Sequence, residues 1–117
     1  MRLELAKYFH DIQSSARALA DFVSGQTWES YQANLMLRRA VEREFEIIGE
    51  ALAQLARRDA AMAARIADYR QIIGFRNILI HGYAEVDDAL VWAATQVKLP
   101  GLLAQVEALL RSEGNAG

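Results

Sequence analysis

Leu5, Phe9, Ile12, Ala16, Leu19 and Val23 recur at alternating spacings of four and three. That is the apolar stripe of an amphipathic helix, and Gly25 just beyond it is a residue type that ends one. Leu37, Val41, Phe45, Ile48, Leu52 and Leu55 repeat the pattern and predict a second helix ending near Arg57. Thr27 or Ser30 is its candidate N-cap. Ala33 stands three residues after Ser30, so no capping box supports the latter. The opposite face carries Arg38, Arg39, Glu42, Arg43, Glu46 and Glu50, with like-charge neighbours offset by mixed pairs. This face reads as solvated, or as one on which Glu46 or Glu50 holds an arginine near a site.

Residues 58–66 have weak patterning and predict a loop or a short helical turn. A third helix starts near Asp68, contains Ile72, Ile73, Phe75, Ile78, Leu79 and Ile80, and ends at His81–Gly82. It is apolar nearly all round, which predicts burial between neighbours. Asp87 or Asp88 caps a fourth helix through Leu90, Ala93, Ala94 and Val97. Pro100 should kink or restart it, and Leu103, Val106 and Leu110 continue its stripe. No segment reads as a strand. The expected fold is an all-α, up-and-down bundle in one domain, residues 1–112, with a frayed tail at 113–117.

Composition narrows the functional classes. The chain has 117 residues, 53% of them hydrophobic, and a formal charge of −2. That is a single folded domain without an overall basic footprint for nucleic acid. Two of the thirteen basic residues are Lys7 and Lys98, so eleven are arginine. The excess suits phosphate recognition, because guanidinium binds oxyanions bidentately, and it equally suits codon bias. No cysteine is present, which excludes disulfides, thiol catalysis and thiolate metal sites. No apolar run reaches the roughly 18 residues of a membrane span, and the N-terminus lacks a signal-peptide core. A cytoplasmic location is expected. No His, Asp and Glu grouping has metal-ligand spacing and there is no glycine-rich phosphate loop, so no metal or cofactor is expected.

The segment GFRNILIHGYAEVD, residues 74–87, places Arg76, Asn77, His81 and Tyr83 within an otherwise apolar stretch. Residues five apart on a helix point roughly 140° away from each other. Arg76 and His81 would therefore meet only if the helix distorts at Gly82, or if two copies pair about a two-fold axis. An imidazole exchanges a proton near neutral pH, and a guanidinium holds phosphate oxygens and stabilises charge developing on them. Together they are the minimum for RNA cleavage without a metal. His81 would activate a ribose 2′-hydroxyl, Arg76 would bind the adjacent phosphate, and Asn77 would support either group. DNA lacks the attacking hydroxyl and is excluded as a substrate. The bland alternative is a histidine that caps the helix end, where a cation suits the dipole. His10 on the first helix reads as a surface histidine, and Trp28 and Trp92 as packing residues.

RNILIHGY has the form RxxxxHxY and resembles the signature of the HEPN family, specifically the HepT-like ribonuclease toxins of toxin–antitoxin modules. AVEREFEIIGEAL (40–52), IIGFRNILIHGYAEVD (72–87) and KLPGL (98–102) resemble the family as well; the segment before the motif lacks its frequent Pro-Trp pair. The resemblance implies a four- to five-helix bundle, dimerised so that two RxxxxH motifs share one cleft. It implies that Arg76 and His81 are catalytic and that Asn77 supports them. It also implies a partner, an MntA-like minimal nucleotidyltransferase antitoxin, that transfers AMP from ATP onto Tyr83. Adenylylation would set bulk and phosphate charge beside the cleft and engage Arg76.

Two functions follow from the same residues. One is a metal-independent ribonuclease toxin neutralised by adenylylation. The other is a non-catalytic module that presents substrate or nucleotide to a nucleotidyltransferase. The first needs His81 to move a proton and Arg76 to face it, whereas the second needs only a positive cleft.

Overall fold

The first stripe folds as the sequence predicts. In the computed structural model, which describes residues 2–82 and 86–116, α1 spans Leu3–Val23 and buries Phe9, Ile12, Ala16 and Leu19 completely. Gly25 follows it at φ 75°. Side chains from 113 onward, and with them those of the expected tail, lie outside the described residues.

The second predicted helix is two. α2 (Trp28–Ala33) is closed by a capping box: Thr27 Oγ1 accepts from the Ser30 amide at 3.1 Å, and the Thr27 amide donates to Ser30 Oγ at 2.8 Å. Asn34 is extended, at φ −115° and ψ 98°, and its side chain accepts from the Leu37 amide at 3.0 Å to start α3 (Leu35–Arg58). The break has a packing cause. Tyr31 lies six residues before Leu37, about 120° out of phase with the α3 stripe, so one straight helix could not bury both. With the break, Tyr31 is fully buried between Trp28 and Trp92, at ring-centroid distances of 6.3 and 5.2 Å.

α3 is the central helix. Val41, Ile48, Leu52 and Leu55 are fully buried, with α1 packed on one flank and α5 on another. Asp59 ends α3 and caps the single turn α4 (Ala60–Ala63), accepting from the Met62 amide at 3.0 Å. α5 spans Tyr69–His81. α6 (Asp88–Ala93) starts at Asp87, whose carboxylate accepts from the Ala89 and Leu90 amides. A π-helical turn, Ala94–Lys98, joins it without a break to α7 (Leu99–Ala116). Pro100 was expected to kink or restart this helix. Its ring has no N–H and would collide with the Gln96 carbonyl in a regular α-turn, and the wider π-turn relieves that clash while the helix continues. Thr95 Oγ1 donates to the Trp92 carbonyl within the same stretch, at 2.6 Å.

Among the described residues there is no strand, and the fold is an all-α bundle. One expectation fails within it. α5 is not enclosed: Leu79 is its one buried residue, Ile78 is 53% exposed, and Ile72, Ile73 and Phe75 are half-buried. The helix packs on α3 but stands off α6 and α7. Phe75, Leu90, Val97 and Leu102 line the resulting apolar groove of about 640 Å³.

Candidate active site

The site is built where α5 crosses α3. A Cβ added to Gly49 would lie 2.2 Å from Arg76 Cβ, so only glycine lets the two helices approach this closely. Phe45 and Phe75 pack edge to face one turn away, at 5.2 Å and 71°. This close crossing lays the Arg76 side chain along α3. It is 16% exposed, Nη2 stands 3.0 Å from Glu50 Oε2, and Nε is buried without a hydrogen-bond partner among the described residues. Glu50 Oε1 in turn accepts from Gln54 Nε2 at 3.0 Å. Of the two acids expected to hold an arginine, Glu50 engages Arg76, while Glu46 pairs with Arg43 on its own helix at 3.5 Å.

His81 is exposed at the C-terminal end of the same helix, and Asn77, one turn earlier, is exposed with it. α5 is helical through His81 and closes with the Gly82 amide donating to the Ile78 carbonyl at 2.7 Å. The distortion that would bring Arg76 and His81 together in one chain is therefore not found, and the two side chains leave the helix in different directions. Gly82 adopts φ −94° and ψ 10°, an ordinary conformation. A side chain is excluded there because its Cβ would sit 2.6 Å from the Ile78 carbonyl oxygen. Tyr83 lies outside the described residues.

Arg38 of α3 stands 3.5 Å from Asp88 and also donates to the Gln32 carbonyl, tying α2, α3 and α6 together. Beside this tie lie two perturbed acids. Burial, and less so the neighbouring Asp88 and Glu46, pushes the Glu42 carboxyl above its ordinary value, against the opposing pull of Arg39 at 3.4 Å. Burial also raises the Tyr31 phenol, with Glu42 and Asp88 adding to it, and its hydroxyl has no hydrogen-bond partner among the described residues. No three His, Asp or Glu side chains among the described residues cluster as metal ligands would. His10 is exposed, and no described helix is long and apolar enough to cross a membrane.

The model of the family described as Ribonuclease HepT-like matches residues 12–109. The chain belongs to the HepT-like ribonuclease family. Among the relatives of this HepT-like chain is "Putative RNase MJ1380" of Methanocaldococcus jannaschii, 31% identical over 104 residues that cover 89% of this chain and 94% of that protein. "Putative RNase TTE0752" of Caldanaerobacter subterraneus subsp. tengcongensis is 30% identical over 106 residues, covering 91% and 94%. "Probable ribonuclease HepT" of Thermococcus cleftensis is 28% identical over 102 residues, covering 87% and 92%. No solved structure matches the chain. The match spans both helices of the crossing, so Gly49, Glu50 and Arg76 all lie within the HepT-like region.

Proposed function

We propose that this protein is a metal-independent endoribonuclease toxin of a toxin–antitoxin module, with Arg76 and His81 as its catalytic residues. The observation that carries the reading is the arginine held against α3 five residues before an exposed histidine, inside a chain of the HepT-like family. His81 takes the proton of a ribose 2′-hydroxyl. The 2′-oxygen forms a bond to the adjacent phosphorus, and Arg76 stabilises the charge that accumulates on the phosphate oxygens. The bond to the 5′-oxygen breaks and that oxygen takes up a proton, leaving a cyclic 2′,3′-phosphate and a 5′-hydroxyl. Asn77, exposed one turn from His81, orients substrate.

Two copies pair through α5. Within one chain Arg76 and His81 diverge, so the cleft is completed by the facing motif of the second copy. The exposed Ile78 and the half-buried apolar residues of α5 support this pairing. Tyr83 is the AMP acceptor for an MntA-like nucleotidyltransferase that uses ATP, and its modification blocks the cleft.

The test is cleavage of total cellular RNA in EDTA by unmodified protein, with Tyr83 shown by mass to carry no AMP, beside His81→Ala. Cleavage that disappears in the variant is the expected result. Equal cleavage by both proteins defeats the assignment. Cleavage by neither, with pairing and antitoxin binding intact, leaves a non-catalytic partner of a nucleotidyltransferase.

A further inference from the structure

We propose that Glu50 is the positioning residue for Arg76, braced by Gln54; the inference rests on the ribonuclease reading for its kinetic consequence. An arginine side chain is long and flexible, and a guanidinium that must meet a phosphate in one orientation loses rotamer freedom each time it does so. Here that freedom is already restricted. Gly49 brings the Arg76 stem onto α3, Glu50 Oε2 fixes Nη2 at 3.0 Å, and Gln54 Nε2 holds the other carboxylate oxygen at 3.0 Å. Glu50 and Gln54 are one turn apart on α3, so a rigid helix supplies both members of the brace.

The Glu50 side chain is 47% exposed, and an ion pair in that setting contributes little to folding. Orientation of the arginine is the stronger account of the arrangement. With Nη2 held and Nε buried, the orientation of the guanidinium is set before a phosphate oxygen arrives. Glu50 itself does not touch the reacting atoms.

The experiment compares wild type, Glu50→Gln and Gln54→Leu by cleavage kinetics on a fluorogenic RNA and by the Nε–Hε signal of Arg76 in NMR, assigned by its loss in Arg76→Lys. Glu50→Gln keeps the shape and removes the charge, and thermal melting confirms that it folds. The expected result is a kcat lower by about tenfold, the scale of one charge-assisted hydrogen bond, with KM changed by less than about threefold. Gln54→Leu should lose less. In NMR the Arg76 Hε signal should exchange faster with water in both variants than in wild type. Unchanged exchange overturns the inference whatever the kinetics give, as does Glu50→Gln cleaving at the wild-type rate. Faster cleavage with a lower KM would make Glu50 a competitor of phosphate and overturn it too. If wild type leaves RNA intact, the ribonuclease reading fails, and the NMR comparison alone decides whether Glu50 holds Arg76.

Discussion

Gly49 lies directly under the side chain of Arg76, with no room between them for a methyl group. The residue that lets α3 and α5 touch is therefore the neighbour in sequence of Glu50, which pairs with the arginine. Gly49→Ala forces backbone and stem apart, because Arg76 Cβ cannot swing away as the tip of a flexible chain would. Chemical denaturation should show a loss of about 1–3 kcal/mol, the usual cost of overpacking a tight contact. Cleavage should fall with it, since the guanidinium moves with the helix. A variant as stable and as active as wild type would show that the crossing tolerates separation.

Ile78 is exposed on the face of α5 that the proposed pairing covers. Ile78→Glu should convert a dimer to a monomer in sedimentation at micromolar concentration. A surface substitution of this kind changes intrinsic stability by about 0.5 kcal/mol or less. An unchanged sedimentation coefficient would place the pairing surface elsewhere.

Tyr31 presents the opposite case, a polar atom enclosed without a partner among the described residues. Tyr31→Phe keeps the ring between Trp28 and Trp92 and deletes only the hydroxyl. Stability should rise by about 1 kcal/mol in urea titrations, because the desolvation cost disappears and no described hydrogen bond is lost. A destabilised Tyr31→Phe would reveal a partner for the hydroxyl.

Glu42 gives the fold a pH dependence of defined sign. Its folded-state value lies above the ordinary 4.5, chiefly through burial, so folding favours the protonated carboxyl. The corresponding stability is complete below the ordinary value and is lost as pH rises through the higher folded one. Glu42→Gln should therefore gain on wild type in melting temperature as pH is raised from the ordinary glutamate range toward neutrality. An advantage that is flat across that window would mean that Glu42 is not the group responsible.

Tyr83 separates regulation from catalysis in the proposed scheme. Tyr83→Phe should cleave RNA like wild type yet accept no AMP when incubated with the nucleotidyltransferase and ATP, read by intact mass. AMP found on the variant would move the acceptor to another residue.

The apolar spacing by itself determined the fold class and most of the core. Phe9, Ile12, Leu19, Ile48 and Leu52 are buried where their periodicity puts them, because an amphipathic stripe can face only one way in a bundle. The helix ends at Gly25 and Gly82 and the cap at Asp87 were also legible, being local chemistry. The break at Asn34 had a signal, the phase jump between Tyr31 and Leu37, but only burial of Tyr31 shows that the chain resolves it by turning. Glu50 stood in the sequence as one of two acids able to hold an arginine. The choice between Glu46 and Glu50 depends on where α5 crosses α3, and that crossing is decided by the single close approach at Gly49. Likewise, composition alone predicted an enclosed α5, whereas its exposure follows from which neighbours reach it. Periodicity reports which face of a helix is apolar; what covers that face is settled by contacts between residues far apart in the chain.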